Sequence, residues 1–201
     1  MSWHYPRQSP LAHLHLAVRA TTAEAPVWLC ERPPASLAIV RGDADDAGFR
    51  AGVERAFGLA LPLVAGTSTG QAERCLLWLG PDEWLIRGPD GADLTGRLGQ
   101  ELGDVLHQRV AISDARALIG LGGERAREVL SKGCGLDLHP SLFRPGACTQ
   151  TLLGRVGVLL HALPADRPQF DLYVARSYAD YLWHWLADAA SEFGCAIREG
   201  G

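Results

Sequence analysis

The sequence predicts an α+β fold in which a β-α-β-β-α unit is used twice, giving antiparallel sheets with helices on one side. Two observations carry that prediction. An apolar strand and a helix are followed by Gly58-Leu59-Ala60-Leu61-Pro62 in the first half, and the same order ends in Gly135-Leu136-Asp137-Leu138-His139-Pro140 in the second. Each half then continues with a hairpin pattern and another amphipathic helix.

The elements follow in order. Residues 1 to 34 read as an extended N-terminal arm, rich in Pro but carrying Trp3, Leu11, Leu14, Leu16 and Trp28. Residues 35–201 read as one domain of two repeats, about 35–112 and 113–195. The first repeat opens with an apolar strand at 37–40. Asp43, Asp45 and Asp46 suit the capped start of a helix on which Phe49, Val53, Ala56 and Phe57 share a face. Residues 76–79 and 84–87 flank Gly80-Pro81-Asp82 as a hairpin, and 92–102 is helical. The second repeat places strands at 117–121, 156–163 and 170–174, with helices from 124 and over 177–193. Added strands fall near 108–112 and 149–153.

Composition narrows the functional classes. Hydrophobic residues make up 47% and charged residues 21%, enough apolar material for an ordinary globular core. Acidic residues outnumber basic ones 23 to 19, so the bulk charge offers no footprint for nucleic acid. No apolar run reaches the ~18 residues of a membrane span, and residues 1–10 hold no apolar signal region. The five cysteines are odd in number and widely spaced, with no C-x-x-C pair. They are expected to be free thiols in a cytoplasmic setting. His13 and His15 lack the nearby ligands that would complete a metal set.

The motifs associated with chemistry each have a plainer explanation. Gly66-Thr67-Ser68-Thr69-Gly70 matches the G-x-S-x-G nucleophile elbow, but no long helix fits after Ser68, so a flexible loop is the better reading. Gly120-Leu121-Gly122-Gly123-Glu124-Arg125 partly matches a dinucleotide fingerprint, with Arg125 where the third glycine belongs. A tight turn entering a helix explains it. On the last helix, Tyr178, Leu182, Trp185, Leu186, Ala189 and Phe193 form the expected core stripe, with Asp180, His184 and Asp188 facing water. Trp183 sits at the flank of that stripe. No catalytic, cofactor-binding or metal-ligating set emerges. Trp3, Leu11, Leu14, Trp28 and Trp183 are the candidate partner-interface residues. Removing residues 1–30 is expected to leave the body folded and to weaken assembly.

Several runs resemble one known family. Ser113-Asp114-Ala115-Arg116-Ala117-Leu118-Ile119, Ala126-Arg127-Glu128-Val129-Leu130, Gly133-Cys134, Leu136-Asp137-Leu138-His139-Pro140, the run from Pro145 to Gly154 and Phe170-Asp171-Leu172-Tyr173-Val174 are similar to the sarcosine oxidase gamma-subunit family. So are Gly80-Pro81-Asp82-Glu83-Trp84-Leu85 and Ser9-Pro10-Leu11-Ala12-His13-Leu14. The resemblance covers nearly the whole chain. It implies a fold like the folate-binding domain of the glycine-cleavage aminomethyltransferase. It further implies a heterotetrameric complex that oxidatively demethylates sarcosine to glycine, passes the one-carbon unit to tetrahydrofolate and yields hydrogen peroxide. FAD, FMN, NAD, tetrahydrofolate and zinc are then expected in the partner alpha, beta and delta subunits, with alpha the direct contact, and none in this chain. By that resemblance this chain is a non-catalytic subunit of an oxidoreductase. The alternative is a stand-alone folate-binding or one-carbon-transfer protein.

Overall fold

The computed structural model describes residues 7–71 and 73–200. A short helix α1 (Leu16–Arg19) and a strand β1 (Val27–Glu31) precede the first repeat. That repeat runs β2 (Ser36–Gly42), α2 (Ala47–Phe57), β3 (Ser68–Gln71), β4 (Arg74–Gly80), β5 (Glu83–Gly88), α3 (Leu94–Leu102) and β6 (His107–Ala111). The second runs β7 (Arg116–Gly122), α4 (Ala126–Ser131), β8 (Cys148–Leu153), β9 (Val156–Ala162), β10 (Gln169–Ala175), α5 (Ala179–Ala190) and β11 (Cys195–Ile197). The duplicated unit is therefore β-α-β-β-β-α-β. It is longer than the sequence pattern suggested, because the polar β3 and the three-residue β11 carry little apolar periodicity.

The first repeat forms a five-stranded sheet in the order β3-β4-β5-β2-β6. The second forms a six-stranded sheet in the order β11-β1-β7-β10-β9-β8. All pairings are antiparallel except β1 with β11. The two orders correspond strand for strand until the place beside β7. There β1 occupies the position that β6 holds beside β2, and β11 is displaced to the outside.

This corrects the division at residue 34. Val27 and Leu29 are buried in the second repeat's core, and Leu11 and Leu16 join them. The arm is an integral layer of that repeat, and β1 is a strand bonded on both sides. The isolated apolar residues of a Pro-rich stretch gave no period from which a strand could be read.

Strand alternation builds three cores from the same strands. Ala38, Val40, Trp84 and Ile86 face α2 and α3. Ile119, Leu160, Phe170, Leu172 and Val174 face α4 and α5. The opposite faces meet each other, packing Leu37, Cys75, Leu77 and Leu85 against Leu118, Cys148, Leu159 and Tyr173. Both sheets are covered on both faces, so helix, sheet, sheet and helix stack as four layers. Asp46 starts α2 by accepting from the Gly48 and Phe49 N–H groups, at 2.6 and 3.3 Å, as its position before the helix predicted.

On α5 the buried stripe is Ala179, Leu182, Trp183, Leu186 and Ala189. Trp183 is 3% exposed and belongs to the core, whereas Tyr178 is 52% exposed. The predicted Leu182, Leu186 and Ala189 are buried and Trp185 and Phe193 pack against the same core, but the stripe takes in Trp183 and leaves out Tyr178. Ala179 and Ala190 are fully buried, and Trp185 lies half-buried against Gly133, where a Cβ would come within 2.4 Å of its ring.

Candidate functional site

The concentrated polar chemistry lies between the sheets, and the register explains how it gets there. Cys30, Gly120, Asp171, His161 and Cys148 are successive neighbours across the six-stranded sheet, all on its inward face. In the facing sheet Cys75 pairs with Arg87 in the same way. A carboxylate in such a place needs partners, because an unpaired buried charge is severely disfavoured. Asp171 has two. Arg32 Nε donates to one oxygen at 2.8 Å and Arg87 Nη1 to the other at 2.6 Å. Arg32 follows β1, Asp171 lies on β10 and Arg87 on β5. The cluster therefore ties the N-terminal segment, the second repeat and the first repeat together at one point.

Gly120 makes this possible. A Cβ there would meet Cys30 Sγ at 2.5 Å and Arg32 Nε at 2.9 Å, so the bare backbone lets the Arg32 side chain cross the strand to reach Asp171. At Gly122 a Cβ would fall 2.2 Å from the Trp28 ring. The glycines that partly match a dinucleotide fingerprint are thus spent on cross-strand packing by Cys30, Arg32 and Trp28.

The environment sets protonation. Burial pushes the Cys75 thiol up to about 11 and the Cys148 thiol up to about 12. Burial also raises the Tyr173 hydroxyl well above its ordinary range, and the His161 imidazole is held down to about 4, chiefly by burial. For Arg87, burial opposes the charge, but Tyr173 and Asp171 outweigh it and raise its pKa. Under neutral conditions the Arg87 guanidinium is charged, and the Cys75 and Cys148 thiols, the Tyr173 phenol and the His161 imidazole are neutral.

Ser68 comes close to this cluster. It begins strand β3 and does not sit on a strand-to-helix elbow. Its Oγ is 3.0 Å from His161 Nε2 and donates to the Gly146 carbonyl at 2.9 Å. Asp171 is the cross-strand neighbour of His161, so serine, histidine and aspartate lie in sequence through space. They are not wired as a nucleophilic relay. His161 Nδ1 has no partner among the described residues, and both Asp171 oxygens are held by arginines. The serine proton points to a backbone carbonyl, and the contact staples β3 to the second sheet.

A cavity of about 420 Å³ opens beside the cluster, lined by Arg7, Arg32, Arg116 and Arg176 with Ser9 and Glu31. Among the described residues no three His, Cys, Asp or Glu side chains converge to hold a metal. No described helix is long and apolar enough to cross a membrane.

The predicted interface residues are placed unequally. Leu11 and Trp183 are buried inside the chain's own core and present no surface to a partner. Leu14 is half-buried against that core. Trp28 is half-buried, with the Arg32 and Arg198 guanidinium groups 5.9 and 5.1 Å from its ring centre. Trp3 lies outside the described residues. Sequence reasoning did not single out Arg32, Arg87, His161 or Asp171. One signal was available, an aspartate in the apolar run Phe170-Asp171-Leu172-Tyr173-Val174, where a buried strand must supply a counter-charge.

The fold is a duplicated two-sheet domain of the aminomethyltransferase type, closed in this chain at its centre by an ion cluster. It superposes on glycine cleavage system aminomethyltransferase T from Bartonella henselae with a TM-score of 0.68 at 15% identity, covering 94% of this chain and 58% of that one. Within that class the assignment is specific. Residues 41–192 match the sarcosine oxidase, gamma subunit family, and the chain belongs to it. It is 36% identical to the sarcosine oxidase subunit gamma of Corynebacterium sp. (strain P-1) over 93% of this chain and 91% of the relative. The Arthrobacter sp. subunit gamma is 35% identical over the same shares. A chain of the heterotetrameric sarcosine oxidase of Corynebacterium sp. U-96, solved with pyrrole 2-carboxylate, superposes with a TM-score of 0.83 at 32% identity, covering 93% of this chain and 96% of that chain.

Proposed function

We propose that this chain serves as the non-catalytic gamma subunit of a heterotetrameric sarcosine oxidase, contributing structure to a cytoplasmic complex whose chemistry lies in its partners. The near full-length likeness to gamma subunits carries the reading. The commitment of Asp171 to two arginines and of Ser68 to a backbone carbonyl supports the non-catalytic role, because reactive side-chain types are used here as structural ties. The complex would oxidatively demethylate sarcosine to glycine, with tetrahydrofolate taking the one-carbon unit and oxygen reduced to hydrogen peroxide. FAD, FMN, NAD, tetrahydrofolate and zinc would reside in the alpha, beta and delta subunits, with alpha the direct neighbour.

Co-expression with those partners tests the proposal. The four chains are expected to purify as one oxidase, with flavin absorbance in the complex and none in this chain alone. An oxidase of full activity and stability assembled without this chain would overturn the structural role. Saturable binding of tetrahydrofolate to the isolated chain would instead favour a folate-binding function of its own.

A further inference from the structure

The two sheets are built from equivalent strands, yet one has six and the other five. Beyond β7 come β1 and then β11. Beyond β2 comes β6, and among the described residues nothing follows it. Each of the other edges has a main-chain tie to the chain itself, although past Cys148 and Ser68 the outward N–H groups of Gln150, Leu152 and Gly70 meet no acceptor among the described residues. The Thr21 N–H donates to the Ile197 carbonyl of β11 at 2.8 Å, and the Cys148 N–H at the start of β8 donates to Gly66 at 2.8 Å. At β3, the Ser68 N–H donates to Gly146 at 2.9 Å.

β6 is different. The Ile112 N–H donates inward to Leu37 of β2 at 2.8 Å, and the alternation of an antiparallel ladder then directs the N–H groups of Arg109 and Ala111 outward. They meet no acceptor among the described residues. Residues 108–111 are all exposed, Val110 is 57% exposed and the adjacent Leu106 90%. An open strand with apolar side chains and no proline or bulge is a template for pairing, and proteins ordinarily protect such edges.

We propose that β6 accepts one extended strand from another subunit of the complex, completing a sixth strand in the first repeat's sheet. The proposal rests on the gamma-subunit reading above. The chemistry of the two faces defines the incoming segment. Arg109 lies over Gly99 of α3 and contacts His107, with no carboxylate partner among the described residues. An acidic side chain on that face would satisfy it. On the opposite face Val110 pairs with Ile39, beside a groove of about 170 Å³ between the sheets whose lining is mainly apolar, with Ile39, Leu79 and Ile112, and also includes Arg116, Gln150 and Thr151. Apolar side chains fit there. The occupant is thus a strand alternating acidic and apolar residues, held by main-chain hydrogen bonds. A second copy of β6 fits less well, because His107–Ala111 holds no carboxylate to meet Arg109, and a pair centred on Arg109 sets two arginines directly opposite.

Hydrogen exchange at single-amide resolution in the assembled oxidase tests this. The Arg109 and Ala111 amides are expected to exchange freely in the isolated chain and at least about tenfold more slowly in the complex. Ala111→Pro removes an outward donor without touching the β2 ladder, and should weaken assembly roughly tenfold while Ala111→Ser assembles normally. If the proline variant melts more than a few degrees below the wild type, Arg109→Glu replaces it, with the same weakening expected from charge reversal. Equal exchange of both amides in the free and assembled chain would overturn the proposal while leaving the gamma-subunit role standing. Protection that follows self-association of the isolated chain would also overturn it, making a second copy the occupant. Failure of the wild-type chain to join any complex would instead remove the role on which it rests.

Discussion

Asp171 illustrates what a single buried charge requires. It is 1% exposed and holds two guanidinium groups whose side chains are 9% and 7% exposed. Asp171→Ala leaves both without their carboxylate, which is expected to cost about 3–5 kcal/mol in urea unfolding. Ser68→Ala removes a hydroxyl that bridges a carbonyl and an imidazole, and should cost only about 1 kcal/mol. It should leave turnover of the complex unchanged, as a staple and not a nucleophile. His161 supplies a pH dependence of known sign. Its folded pKa of about 4 lies below the ordinary 6.5, so the unfolded chain takes up a proton first. The stability from keeping it neutral is full above pH 6.5 and is lost as pH falls toward 4. Ser68, Asp171 and Arg87 face the ring, and the loss is on the order of 3 kcal/mol. Chemical denaturation at pH 7, 5.5 and 4 should show this slope, and His161→Gln should flatten it.

At the scale of elements, β1 changes the meaning of the N-terminal segment. It pairs β7 on one side and β11 on the other, and it delivers Arg32 to Asp171. Deleting residues 1–30 therefore removes most of an internal strand, uncovers both neighbours and takes Leu11, Leu16, Val27 and Leu29 from the core. Each such side chain contributes about 1.5–3 kcal/mol on burial, and together they rival the whole stability of an ordinary domain. The truncated chain is expected to lose its cooperative melting transition, the reverse of what a detachable arm would give. A truncated chain that melts like the intact one would show β1 to be dispensable. Other elements were legible. Phe49, Val53, Ala56 and Phe57 keep a helical period that one sheet face can satisfy, and α2 forms where that period lies.

For the whole molecule, the facing of two sheets governs thiol chemistry. Cys30, Cys75, Cys134 and Cys148 are buried, while Cys195 is exposed. Burial raises the pKa of Cys30, Cys75 and Cys148, so at neutral pH these thiols are both shielded and protonated. Burial also raises the pKa of the exposed Cys195, so reaction with a disulfide reagent should modify that one thiol per native chain first, on access alone, and all five only after unfolding. Rapid modification of two or more in the native protein would mean that the layers separate readily.

The sequence by itself determined the duplication, most of the strands and helices, and the family. Local apolar period and the quoted runs are carried by contiguous residues, and a period needs no knowledge of distant neighbours. Tertiary structure alone decided three things. It made β1 a strand, because Val27–Glu31 gains its ladder from β7 and β11, far along the chain. It turned Trp183 inward, because α5 packs with Ala179, Leu182, Leu186 and Ala190 all buried, which places Trp183 in the same core. It also joined Arg32, Arg87 and Asp171, separated by as many as 139 positions, into one cluster. A buried charge announces that it needs a partner, but which arginine reaches it depends on strand register and on a glycine bare enough to let a side chain pass.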